Sequence, residues 1–209
     1  MKNVYTLIAA VALGLVAWKV SSTPLEIFAA TMGLLSVFAY GRQMIWMATI
    51  TGVANIVAFS FIFFDAKLYA DMTLQIGFFL PLTLYGIIYW IRNRGNGEKV
   101  AKTRNISKVE FWNSIVFWLI GSAVWAVLLD KLTDAAMPWI DAPVAVASII
   151  AQLLLSRKVL QNWHIWIVID VVSVFMYWMR DLHLTSALYF VFLIICVFSL
   201  RSWKKELAT

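Results

Sequence analysis

Runs of about twenty residues with almost no charge recur along this chain, and nothing constrains its fold more. Helix rises 1.5 Å per residue, so about 20 apolar residues cross the hydrocarbon core of a bilayer. The composition agrees: 63% of the 209 residues are hydrophobic and only 13% are charged, where soluble domains have roughly 45–50% and 25%. A water-facing surface cannot be covered with so little charge. Hydropathy predicts spans at about 4–19, 25–41, 43–64, 68–91, 110–129, 142–156, 160–179 and 184–201. The first of these resembles a signal peptide in outline, but it lacks a clean small-residue cleavage site and is followed by further spans, so it is read as a retained helix.

Charge sorts the loops by side. Segment 92–109 holds Arg92, Arg94, Lys99, Lys102, Arg104 and Lys108 against Glu98. With eight spans, Arg42, the pair Arg157 and Lys158, and the tail with Arg201, Lys204 and Lys205 fall on the same side. Asp65, Asp71, Asp130, Asp134 and Asp141 fall opposite. By the positive-inside rule both termini are then cytoplasmic, and if the first helix lies along the membrane seven spans remain and only the N-terminus changes side. The formal charge of +6 is therefore a topology signal and not a nucleic-acid surface. Cys196, the sole cysteine, excludes an internal disulfide and a cysteine metal cluster, and is read as a small apolar residue.

The chain also repeats itself. Arg42 recurs as Arg157 and Asn55 as Asp170 at one common offset, and Asp65 matches Asp181 and Trp90 matches Trp203 more loosely. Two three-helix units follow, joined by one linker helix, with boundaries at 1–23 (extra helix), 24–92, 93–141 (loop and linker) and 142–209 (second unit and tail). An odd linker makes the units parallel in topology, and transporter sites commonly lie between such halves.

The residues that could carry function concentrate in 162–179. Trp163, Trp166, Asp170, Ser173 and Tyr177 fall in one stripe at helical spacing. A carboxylate in hydrocarbon demands a cation, hydrogen-bond donors or a water-filled cavity. Aromatic rings beside it suit a flat cationic ligand. Thr51 and Asn55 share a face with Gly52 beside them, Asp71, Gln75, Tyr85 and Tyr89 form a stripe, and Ser148 and Gln152 are one turn apart. Each group also fits a plainer role, bonding helix to helix. His164 and Trp178 face away from the stripe, and Trp112, Trp118, Trp125 and Trp139 are assigned to the lipid face or the aromatic belt. His164 and His183 supply neither a metal cluster nor a nucleophile–base pair beside Asp170. RGNG at 94–97 lacks the Lys–Ser/Thr of a phosphate loop. No catalytic residue, metal or cofactor is expected, which leaves a carrier, a channel or a membrane-embedded binding protein.

QNWHIWIVIDVVSVFMYW at 161–178 resembles the tryptophan motif of the PnuC-type vitamin transporters, W-x-x-W-x-x-x-N/D, here Trp163, Trp166 and Asp170. SRKVLQNW at 156–163, PLEIFAATMGLL at 24–35 and the stretch 52–79 are similar to that family as well. The resemblance covers about 24–205. It implies a 3+1+3 core of seven helices, of SWEET-like layout, plus the N-terminal helix, in a bacterial inner membrane and as a homotrimer. It also implies facilitated diffusion of a vitamin that a separate cytoplasmic kinase traps. The site it implies contains Trp163, Trp166 and Asp170, completed by Asn55 and Gln75, with Tyr177 and Gln152 nearby. Asp170 stands where nicotinamide riboside members carry Asn, and a carboxylate pairs well with the amine of an aminopyrimidine. Thiamin is thus the expected substrate, with nicotinamide riboside and then riboflavin behind it.

Overall fold

The computed structural model describes residues 23–66, 69–133, 137–179, 181 and 183–208; the expected helix at 4–19 lies outside them. The order is α1 (Pro24–Gly41), α2 (Ile45–Asp65), α3 (Tyr69–Leu74), a π turn (Gln75–Phe79), α4 (Leu80–Arg92), α5 (Lys108–Leu132), α6 (Pro138–Ser156), α7 (Asn162–Met179) and α8 (His183–Leu207). With α3, the π turn and α4 running on as one segment, seven helices among the described residues are long and apolar enough to cross a membrane. The chain is an all-α integral membrane protein. Two boundaries differ from expectation. α6 begins at Pro138, whose ring suits a first helical turn, and α8 runs on to Leu207, so Trp203 and Glu206 are helical and not part of a loose tail.

Local chemistry accounts for the ends. Thr23 and Glu26 form a reciprocal capping box ahead of Pro24, and Ser107 and Glu110 form another at the start of α5, each satisfying N–H groups the helix leaves open. Arg104 adds a two-pronged contact to Glu110 at 2.7 and 2.6 Å, pinning the preceding loop. That hydrogen bond raises the guanidinium above its ordinary pKa. The break at 75–79 has a chemical source as well: Pro81 has no N–H to return to the preceding turn, and a π turn precedes it. A strict helical period does not survive such a turn. Tyr85 and Tyr89 accordingly lie toward Arg157 and Arg104, away from the stripe expected with Asp71 and Gln75.

The helices close into a ring. α1 packs on α2, α2 on α4, α4 on α6, α6 on α7, α7 on α8, and α8 on α1; α5 lies outside against α6. Most of α5 stays exposed, as befits a helix facing lipid, with Trp112 and Trp139 of α6 also outward. Trp118 is exposed as well while its indole N–H donates to the Pro143 carbonyl at 3.0 Å, whereas Trp125 packs partly buried on an α6 cluster.

Among the described residues two helix pairs of the ring, α4 with α6 and α8 with α1, join the first three spans to the last three, and they are built alike. Trp90 on α4 donates its indole N–H to the Leu155 carbonyl at 3.2 Å, while Trp203 on α8 donates to the Tyr40 carbonyl at 3.3 Å. In one contact Gly86 faces Ser156, and in the other Gly41 faces Ser199. The helices ending at each contact close in the same way. Gln43 and Lys158 take left-handed backbone at φ 60 and 58, and Met44 and Val159 return their N–H groups to Ala39 and Leu154 at 2.8 and 2.9 Å. This is a Schellman closure, usually made by glycine.

The close approaches differ in tolerance. A Cβ on Gly41 would overlap Ser199 Oγ and lie 2.9 Å from its Cβ, whereas on Gly86 it would meet Ser156 no nearer than 3.2 Å. Gly41→Ala should lower the melting temperature in detergent clearly more than Gly86→Ala. Trp90→Phe and Trp203→Phe keep a ring but remove the indole hydrogen bond between the halves, so each should destabilise by about 0.5–1.5 kcal/mol in the same thermal assay.

Candidate functional site

The stripe on α7 meets a matching stripe on α8. Trp163 lies edge-on to Trp203, with centroids 5.4 Å apart at 87°. Asp170 faces the Cys196 thiol. Tyr177 stacks on Tyr189 at 5.1 Å and 24°. On both helices the partners recur every seventh residue, two turns apart, as an antiparallel pair requires. Sequence reasoning found the α7 half and missed Tyr189, Cys196 and Trp203. The signal was present in that seven-residue spacing, but Cys196 was assigned to packing and Trp203 fell beyond the predicted span.

Burial separates the members. Trp163 is 1% exposed and belongs to an aromatic core with Tyr40, Trp90 and Trp203. It is not open to stack on a ligand in this conformation, contrary to the expected role, and its indole N–H has no acceptor. Trp166, half-buried at the edge of the same core, is the motif ring left with free face. Asp170 is 4% exposed, and its Oδ2 has no hydrogen-bond partner. Ser173 is buried a turn away. An uncompensated carboxylate oxygen at this depth is costly, and the rings nearest to it can offer only edges or, from tyrosine, a hydroxyl.

Polar residues of the other helices approach from two directions. Asn55 reaches over Gly33 and donates its amide N–H to the Ala29 carbonyl at 2.7 Å. That nitrogen therefore ties α2 to α1, leaving Oδ1 and the second N–H for a ligand. Phe192 of α8 packs on the same Gly33 and, edge-on, on Tyr189, linking Asn55 to the α7–α8 stripe. Gln75 is half-buried on the π turn, which touches α2 and α6. Irregular backbone at membrane depth is tolerated only inside protein or against a cavity, and π turns recur at functional sites; no periodicity argument could have exposed this one. Asp71 lies in electrostatic reach of Tyr189.

Gln152 and Thr51 have other work. Gln152 donates to Thr83 Oγ1 at 3.1 Å in a buried polar group with Tyr40 and Thr49, bracing α6 against α4. Thr51 and Ser148 bond back to carbonyls of their own helices, at 2.7 and 2.8 Å. His164 and Trp178 are exposed, as their angular positions implied. The structure thus sets Asp170 between Trp166, one turn before it, and the Tyr177–Tyr189 pair, two turns beyond, with Phe192 linking that pair to Asn55 and with Gln75 on the π turn.

Comparison with known proteins agrees with the fold. The sequence profile of the family described as nicotinamide mononucleotide transporter matches residues 23–205. The nicotinamide riboside transporter PnuC of Escherichia coli (strain K12) is 28% identical over 176 residues, 73% of each chain. The riboflavin/roseoflavin transporter RibM of Streptomyces davaonensis is 22% identical over 180 residues, 82% of this chain and 80% of that one. A crystal structure of the vitamin B3 transporter PnuC shares the fold, with a TM-score of 0.79 over 99% of this chain and 91% of that chain at 22% identity. This chain belongs to the nicotinamide mononucleotide transporter family and is a multi-pass membrane transporter of the PnuC type.

Proposed function

We propose that this protein carries nicotinamide riboside across the membrane by facilitated diffusion. The observation that carries the reading is Asp170, a buried carboxylate with one oxygen unpartnered, in a layer of aromatic rings within a membrane span. Nicotinamide riboside brings a flat pyridinium ring with a fixed positive charge and a carboxamide whose N–H groups are donors. The first offsets the carboxylate and the second can satisfy its free oxygen. Trp166 and the Tyr177–Tyr189 pair border the ring, while Asn55 Oδ1 and Gln75 take the ribose hydroxyls. The name carried by the E. coli relative moves the choice of substrate from thiamin, the expectation from the aspartate alone, to nicotinamide riboside. Thiamin remains the second reading because its aminopyrimidine offers Asp170 the same kind of donor.

The loop and helix ends rich in Arg and Lys are the cytoplasmic side in this reading, with the membrane the bacterial inner one. The first three and last three spans rock as units, opening the site to alternate sides. Accumulation comes from consumption of the vitamin by a separate kinase inside the cell, with no ion coupled to transport.

Binding of nicotinamide riboside, thiamin and riboflavin to the purified protein, followed by tryptophan emission and calorimetry, tests the substrate. Nicotinamide riboside should bind tightest. Asp170→Asn, which installs the residue that nicotinamide riboside members of the family carry here, removes a charge-assisted contact worth about 1.5–3 kcal/mol, so thiamin affinity should fall about tenfold to a hundredfold and nicotinamide riboside affinity less, with the melting temperature held or raised. Asn55→Ala should weaken binding less and lower stability by about 0.6 kcal/mol, the usual size of a hydrogen bond between membrane helices. If Asp170→Asn binds all three ligands as the parent does, the carboxylate has no part in recognition. In kinase-free proteoliposomes uptake should level off at equilibrium; accumulation above it under a proton or sodium gradient overturns facilitated diffusion.

A further inference from the structure

At the basic end of the ring, four segments meet on one ammonium group. Lys158 is fully buried. Its Nζ donates to Gln43 Oε1 at 2.9 Å and to the Ala101 carbonyl at 3.1 Å, and stands 3.6 Å from the Glu206 carboxylate. The centroids of Trp90 and Trp203, the two rings that join the halves, lie 4.5 and 4.8 Å from it, within cation–π range. Gln43 and Thr103 donate to the same carboxylate of Glu206. The cluster therefore joins the α1–α2 turn, the α6–α7 turn, the loop before α5 and the last turn of α8.

Three observations say that this is more than packing. Gln43 and Lys158 hold corresponding positions in two like turns, and both accept left-handed backbone that glycine would adopt without the penalty of about 1–2 kcal/mol. The side chains that make glycine unsuitable are the ones that meet. Second, an apolar residue in place of a buried charge usually packs as stably or better, so the ammonium has a use other than stability. Burial pushes it down to about 8, with Glu206 and Glu98 opposing that shift, so it is charged at neutral pH. Third, the adjoining start of α7 holds two buried polar atoms without partners, Asn162 Oδ1 and Trp163 Nε1. A layer that gains partners by separating would look like this.

We propose that Lys158 is a positioning residue of the transport cycle: with Gln43 and Glu206 it latches the basic ends of the first and last three spans together, and the latch releases when the site opens on that side. Trp203 transmits the state of the latch, since its ring touches both Trp90 and Trp163. The inference rests on the carrier reading above but not on which vitamin is carried.

Cys196, the sole cysteine of the chain, is buried beside Asp170 and reports opening without any added label site. Its reaction with a membrane-impermeant methanethiosulfonate is measured in inside-out and right-side-out vesicles holding the full chain. Gln43→Gly keeps the left-handed turn and removes the contact, and Glu206→Gln removes the charge with little change of shape. Each should speed labelling from the basic side about tenfold, the change expected for losing one charge-assisted contact, and leave labelling from the other side unchanged. Lys158→Met should do the same where it folds. Labelling that does not change, or that rises equally from both sides as general loosening would make it do, overturns the latch. Counterflow of nicotinamide riboside and of thiamin in the same vesicles separates the two readings: its absence for both, in the parent protein, sinks the carrier, while counterflow with unchanged labelling sinks only the latch.

Discussion

Two indole N–H groups hold the ring of helices closed. Trp90 donates across to the carbonyl of Leu155, and Trp203 donates across to that of Tyr40. Both acceptors lie in the closing turns of helices, where the N–H groups of Lys158 and Gln43 already reach them at 3.0 Å, so each indole adds a second bond to a carbonyl with two lone pairs and ties one half to a helix end of the other. The rings that make these bonds are themselves fully buried and flank the Lys158 ammonium. Hydrogen bond, aromatic packing and ion pair thus converge on one layer, and the positions of α7 and α8 follow from it. Since Trp203 seats Trp163 and α7 continues rigidly from there, that layer also sets the height of Trp166 and Asp170.

The rest of the two joints is built for sliding more than for gripping. Glycine faces serine at both, and the small side chains let backbones approach closely without interdigitating. Between apolar helices in lipid there is no hydrophobic effect to drive association, so a handful of polar contacts carries specificity. Gln152 with Thr83, and Ser156 with the Leu82 carbonyl at 2.7 Å, do this on the α4–α6 side. Away from the basic end the α1–α8 side relies on Phe192 against Gly33. Joints that are firm at one end and sparse along their length are suited to two bodies that pivot.

How much of this was legible in the chain follows from which patterns survive folding. Span lengths and loop charges depend only on hydrocarbon thickness and on local composition, and the helices lie within a few residues of their expected places. The turn at Arg42 and its counterpart at Arg157 could be matched because polar residues interrupting apolar runs stand out. The π turn at Gln75 could not, because one inserted hydrogen-bond register leaves no mark in hydropathy, although Pro81 is its chemical source. Tyr85 and Tyr89 were misplaced for that reason. The α7 stripe was read as facing a ligand when three of its members, Trp163, Asp170 and Tyr177, face α8, since a periodic stripe says which residues share a face and not what that face meets. Trp163 illustrates the difference: its spacing is that of a binding residue, and its burial is that of a core residue.

Asp170 is where the fold and the chemistry meet. Its carboxylate sits against a thiol, a weak donor, with tyrosines two turns away and one oxygen unpartnered. A strong internal partner would have made it a structural ion pair, silent toward any ligand. Asn55 shows the contrast: at the corresponding place in the first half, its amide N–H is already bound to a carbonyl of the neighbouring helix, and it holds two helices together. The same position in the two halves is thus satisfied in one and unsatisfied in the other. A site built with that asymmetry selects a ligand that brings donors or positive charge to one side of a flat ring and hydroxyls to the other. That is the shape of a cationic vitamin bearing a ribose, and it describes riboflavin, which has no charge to offer, least well.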